Sequence, residues 1–179
     1  MTAPEHRCGE CQLCCRLFPI KPMQKPSNQR CKHQRYRKGC AVYSTRPRDC
    51  RIWSCIWLTQ PFDGLRRPDK CHYIVDPSLD FAQISDEGRE PERIPIIQIW
   101  CDPRFPNAHE DKALRTWLSQ MATQGYLGLI RYSSTDAFLL IPPEMNNIGV
   151  WLKGFGQAEG EHSTAEIVEA FGGVPLLTN

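Results

Sequence analysis

The sequence predicts an α+β protein in two parts: an irregular N-terminal cysteine module with a short helix over residues 1–60, packed on or linked to a small mixed or antiparallel sheet covered by an amphipathic helix over residues 61–179. Three observations lead there. Eight of the ten cysteines fall between Cys8 and Cys55. Four β-branched or apolar runs, at 72–76, 94–101, 126–133 and 136–142, are bounded by turn residues. Between the second and third of these, Leu114, Trp117, Leu118 and Met121 recur at helical spacing.

The first element is the run CGECQLCC, holding Cys8, Cys11, Cys14 and Cys15. Two residues between cysteines allow a tight knuckle that turns both sulfurs inward. Paired thiolates on such a knuckle select zinc, iron or copper over magnesium or calcium. The adjacent side chains of Cys14 and Cys15 diverge, so these two sulfurs point to two metals, or to a bridge between them. Leu17, Phe18 and Ile20 are placed to close the apolar side of this loop. Pro19 and Pro22 stop a helix from running on. Residues 21–30 read as a polar, proline-marked connection.

The second set is Cys31, Cys40, Cys50 and Cys55. A short helix is expected between Thr45 and Pro61, capped by Ser44 or Thr45, with Pro47 in its first turn and Asp49 at the positive end of its dipole. Five residues at about 100° each put Cys55 about 140° round from Cys50 on an ideal helix. Either the helix begins after Cys50 or the two sulfurs serve different centres. Ile52 with Ile56, and Trp53 with Trp57, read as core-packing pairs at i, i+4. His6 and His33 stand beside cysteines and are as readily ligands as surface histidines.

In the second half, the stretch between 76 and 94 reads as an acidic, turn-rich loop joining the first two strands. Cys71 and Cys101 read as small buried apolar residues rather than further ligands. Asn107 with Glu110 is the expected N-terminal cap of the amphipathic helix, and Gly125 its stop. The last two strands are joined by a short turn at 133–136. A second capped helix is expected from Ser163 and Glu166 to Gly172, and the glycines at 154–160 read as flexible linkage.

Net charge is divided. Residues 1–60 carry twelve Lys or Arg against three acids, and residues 61–179 ten against seventeen. Thiolate–metal centres are anionic, and Arg16, Arg30, Arg35, Arg37, Arg46, Arg48 and Arg51 interleave with the cysteines. They are expected to offset that charge and to lower the thiol pKa values. No RNA-binding signature accompanies them, which weighs against a nucleic-acid partner. No apolar run approaches the roughly 20 residues of a membrane span. The N-terminus shows no signal sequence, so a cytoplasmic, reducing compartment is expected, and with it metal ligation rather than disulfides.

The pattern CGECQLCC, then CKH, then GCAVYSTRPRDCRIWSCIW resembles the YkgJ-type cysteine-cluster family, a zinc- or iron-chelating domain. Tyr43, Arg46, Pro47, Cys50, Arg51, Cys55 and Trp57 carry the resemblance, which covers residues 8–58. It implies Cys8, Cys11, Cys14, Cys15, Cys31, Cys40, Cys50 and Cys55 as ligands of zinc or iron, and so a metal-stapled module. The alternative is an iron–sulfur electron-transfer protein, although Cys15 interrupts the ferredoxin-type spacing. A nucleic-acid-binding zinc module stands behind both. No G-x-S-x-G, H-E-x-x-H or deaminase-type motif marks an enzyme. His33 or His72 would open a catalytic position only if a cysteine were not a ligand.

Overall fold

The structure, a computed structural model, describes residues 6, 8–84, 92–159 and 164–170. Its larger part is a mixed sheet of six strands: β3 (Tyr73–Ile84), β4 (Glu92–Cys101), β5 (Leu127–Arg131), β6 (Ala137–Ile141), β7 (Leu152–Glu159) and β8 (Thr164–Ala170). The strands pair in chain order, and β8 returns to β3 at Gln83 and Glu166 to close a barrel. β4 and β5 are parallel, Ile96 opposite Leu127, so the chain must cross over between them. Helix α5 (Lys112–Ala122) makes that crossover.

The two faces of the strands carry two cores. Tyr73, Val75, Ile97, Ile99, Ile130 and Leu140 pack against Leu114 and Leu118 of α5. The alternate positions Ile94, Ile96, Leu127, Leu129, Leu139 and Ile141 meet inside the barrel with Ala82 and Leu152. Both faces of β5 are therefore covered, and all five of its residues are buried. Gly128 faces α5, and a Cβ there would be in ordinary van der Waals contact with Leu118 Cδ1 at 3.4 Å and Ile99 Cδ1 at 3.5 Å.

Helix α5 runs where the periodicity places it, and Gly125 ends it at φ +85°. Its cap differs. Asp111, not Asn107, accepts from the backbone N–H of Ala113 and Leu114, while Ala108–Glu110 form a separate 3-10 turn. The aspartate also accepts from Arg66 at 2.9 Å. Asp111→Ala is expected to destabilise the protein by about 1–2 kcal/mol, the usual cost of a lost cap, and to lower the melting temperature by a few degrees. Asn107→Ala should leave it unchanged in the same thermal scan.

Three further expectations are corrected. The stretch after Asp76 is not simply a loop, because β3 continues to Ile84 after an irregularity between Asp76 and Asp80. Residues 154–159 are strand rather than linker, since β7 pairs with β6 and β8. The expected C-terminal helix is β8 over its described residues, with Ala165 opposite Ala158 and Ile167 opposite Gly156. A seven-residue helix is marginal alone, whereas Thr164, Ile167 and Val168 suit a strand once a neighbour offers its edge. Ser163 and Gly172 lie outside the described residues.

His109 is buried against Phe138, its Nδ1 2.8 Å from the Tyr132 hydroxyl and 3.1 Å from the Pro106 carbonyl. Burial holds its pKa below the usual histidine range, and the charges of Lys153 and Arg115 push the same way against a smaller opposing pull from Glu110. The unfolded chain therefore takes up this proton first as pH falls below about 6.5, so stability is expected to drop as the pH goes from 7.5 to 5.5. Urea titrations of wild type and His109→Phe at the two pH values test this, the variant showing the shallower pH dependence.

Candidate functional site

The N-terminal part contains α1 (Leu13–Leu17), the hairpin β1 (Gln34–Arg35) and β2 (Gly39–Cys40), α2 (Arg48–Ile52), α3 (Ile56–Thr59) and α4 (Pro68–Cys71). The first cysteine loop is thus partly helical, with Cys14 and Cys15 on α1. The Cys8 knuckle is a tight turn in which the Cys11 N–H donates to the Cys8 carbonyl at 2.8 Å. Gly9 makes that turn possible at φ +50°. Gln12 ties the loop to the hairpin by donating to the carbonyls of Arg35 and Gly39. Cys31 is fastened to α1 through its N–H and the Cys15 carbonyl, 3.0 Å.

The expected single helix after Thr45 is two short helices. Ser44 and Thr45 belong to a 3-10 turn and cap nothing; α2 starts after Pro47. The chain then extends from Trp53 to Cys55 before α3 begins. The break frees Cys55 from the helical phase of Cys50. It also aims the Trp53 indole N–H at Asp76 on the sheet, 2.8 Å away. Ile56 is buried, but Ile52 is 71% exposed, so the Ile52–Ile56 pair does not form a shared core face.

The module sits on the sheet rather than beside it. Leu13, Leu17, Cys11 and Cys55 pack with Ile74 and Trp100, and Phe18 meets both Trp53 and Trp100 edge-on. Asn28 donates to the Tyr132 carbonyl at 2.6 Å, and Arg16 pairs with Asp102. Leu17 and Ile20 are buried as expected. So are Cys71 and Cys101, whose thiols burial pushes up, that of Cys71 to about 11.

All ten cysteines are free thiols. Seven of the eight candidates act on one another electrostatically: Cys8 with Cys11, Cys14, Cys15 and Cys55; Cys11 with Cys14; Cys14 with Cys15; and Cys50 with Cys15 and Cys31. The eighth, Cys40, lies on β2 opposite Gln34. Cys8, Cys11, Cys14 and Cys55 share the apolar cluster that contains Trp100 and Trp57. Cys15, Cys31 and Cys50, together with Cys14, act on one lysine. Among the described residues, no three or more His, Cys, Asp or Glu side chains are disposed to hold one ion as they stand.

That lysine, Lys25, was hidden in what reads as a plain connection. It is 8% exposed, and its ammonium donates to the carbonyls of Arg16, Phe18 and Pro26. A 3-10 turn over Lys21–Met23, with Gln24 in the left-handed region, swings it inward. Burial lowers its pKa, and Cys31, Cys15, Cys14 and Cys50 are the charges that raise it again. No sequence pattern marks a lysine whose burial depends on three carbonyls from its own loop.

The arginines act more selectively than their interleaving suggests. Arg46 lowers Cys8, Cys15 and Cys50, and Arg67 lowers Cys8, whereas Arg16 is committed to Asp102. Burial outweighs them at most thiols. It pushes Cys8, Cys50 and Cys55 up and Cys11 to about 12. Cys14 and Cys15 do not diverge as expected: Cys14 is raised by its hydrogen bond with Cys15 and by burial, and the same bond brings Cys15 down to about 7. Of the histidines, His6 stacks on Trp57 at 3.9 Å with Nδ1 3.0 Å from the Trp57 carbonyl, and His72 stacks on Phe105. His33 accepts from the Ala41 N–H through its backbone carbonyl.

No described helix is long and apolar enough to cross a membrane. Comparison of the chain with protein-family models, with curated proteins and with solved structures finds no match.

Proposed function

We propose that this protein binds zinc or iron through Cys8, Cys11, Cys14, Cys15, Cys31, Cys40, Cys50 and Cys55, as the resemblance of residues 8–58 implies. The observation that carries the reading is a set of free thiols that act on one another, four of which, Cys14, Cys15, Cys31 and Cys50, also act on the buried ammonium of Lys25. The donor chemistry fits soft or borderline ions, and a fixed cation beside the sulfurs offsets the negative charge that thiolates bring to a centre. A polar core built only for packing has no use for so many unpaired sulfurs around one cation.

The surroundings favour two sets of four. Cys8, Cys11, Cys14 and Cys55 lie in an apolar, tryptophan-walled cluster, which keeps water from a bound centre. Cys15, Cys31 and Cys50 act on Lys25, as Cys14 also does, with Arg46 near Cys15 and Cys50, and Cys40, on the hairpin that follows Cys31, is assigned to this second set. A metal held by four thiolates is closed to substrate and supplies structural stability or, if iron, electron storage. The role proposed is therefore binding rather than catalysis in a cytoplasmic, reducing setting.

Anaerobic purification followed by elemental analysis and visible and electron-spin spectra tests the reading. Two ions of zinc per chain and no colour indicate the structural form. A brown protein whose absorption bleaches on reduction selects the iron–sulfur alternative. Metal-free protein with all ten thiols titratable, and no uptake of either ion under reducing conditions, removes both.

A further inference from the structure

Away from the sulfurs, a cleft of about 510 Å³ opens between the cysteine module and the loop that follows β4. That volume lies within the range of small-molecule sites. Four arginines line it: Arg16, Arg30, Arg37 and Arg104. Arg16 and Arg104 share one carboxylate, that of Asp102, which is 1% exposed. Two guanidinium groups on one acid leave a positive charge over at this wall. Among the described residues neither Arg30 nor Arg37 forms an ion pair. Asp69, also in the wall, is already held by Arg67 through both oxygens at 2.5 and 2.8 Å.

The cleft also offers flat surfaces. Tyr36 is 70% exposed with Arg37 set 5.3 Å from its ring, and Phe105 is 40% exposed, with His72 stacked on it at 3.5 Å and 2° and Arg104 set 5.9 Å from its ring centre. Holding His72 there takes a left-handed backbone, φ +65°, which costs a histidine energy that the stack and the Asp102 N–H bond to the His72 carbonyl offset. Guanidinium forks recognise phosphate oxygens, and open aromatic faces recognise a planar ring. The geometry points to a small ligand with both, a nucleotide in chemical class, bound where the module meets the barrel. Glu10, a lining carboxylate that acts on Arg67 at a distance but makes no ion-pair contact among the described residues, opposes the anion.

Titration of the full-length, reduced protein with ATP as its potassium salt, without added divalent metal, tests this by calorimetry at low salt. Saturable one-to-one binding is expected, weaker with pyrophosphate and with adenosine. The double variant Arg30→Gln/Arg37→Gln is expected to lose about tenfold or more in ATP affinity, with circular dichroism unchanged. Tyr36→Ala should weaken ATP and leave pyrophosphate alone. Glu10→Gln should tighten ATP about threefold, which no loss of structure would do. Absence of saturable ATP binding by wild type overturns the inference, as does a double variant that binds like wild type or a weaker Glu10→Gln. Equal binding of pyrophosphate and ATP removes the ring from the ligand. Because Glu10 to Arg37 of the wall belong to the cysteine module, the titrations use the protein as purified, with no chelator, so that whatever the thiols hold stays in place.

Discussion

Reduced protein stripped of metal by a chelator is expected to be cut by protease within residues 8–60 at least about a hundredfold faster than the metal-loaded form, while β3 to β6 remain protected. The cause lies in what the two halves have to fold on. Residues 8–60 bury only four aliphatic side chains, Leu13, Leu17, Ile20 and Ile56, besides the cysteines. Ordering a backbone residue costs about 1–2 kcal/mol, so four such side chains cannot hold fifty residues in place. Structural zinc contributes about 10–16 kcal/mol, of which a hundredfold protection uses only about 2.7 kcal/mol. The sheet has no such dependence, because α5 and the barrel interior bury most of its apolar positions without help from the module. Loss of the module would also uncover Trp100 and Ile74, so tryptophan emission should shift red in parallel with cleavage. Equal protection of loaded and stripped protein, or cleavage of both halves together, would refute metal as the organiser of the first sixty residues.

Where hydrophobic periodicity is long and the turn residues agree with it, the fold was legible: α5, its Gly125 stop, and the strands β4, β5 and β6 lie where the pattern puts them. Failures came where a partner decides. β8 carries a capping-box pattern in its sequence, yet the free edge of β7 turns Ile167 and Val168 into strand residues. Gly154 and Gly156 look like a linker until β6 and β8 pair with them. Asp111 outcompetes Asn107 as a cap because Ala108–Glu110 turn into a 3-10 segment and reset the helix start. At the candidate site, cysteine spacing proposes the sulfurs but not their grouping. The proposed grouping draws on the break at Trp53, set by a bond to Asp76, and on Lys25, set by loop carbonyls. Charge counting likewise named Arg16 as a neighbour of the thiols, and only the fold reveals Asp102 as its partner.

Lys25→Met is expected to be the most damaging substitution in the module that leaves every sulfur in place. Methionine retains the apolar stem but strands the carbonyls of Arg16, Phe18 and Pro26, which the ammonium now satisfies. Leaving buried acceptors without donors costs about 1–3 kcal/mol for the first and less for each that can find water, so a loss of about 2–4 kcal/mol is expected in urea unfolding. Those carbonyls bracket the turn that joins α1 to Cys31, so the turn should loosen and carry Cys31 away from Cys15. A second effect separates charge from scaffolding. If the ammonium also neutralises thiolates, metal affinity should fall in Lys25→Met by more than the stability loss explains, and the excess should shrink at high salt. The set that meets the lysine through Cys14 alone, Cys8, Cys11, Cys14 and Cys55, should then release its ion later than the set that meets it through Cys15, Cys31 and Cys50 during competition with a chelator. Simultaneous release at unchanged affinity would mean that Lys25 only ties down its loop, and that the sulfurs gain nothing from having a cation among them.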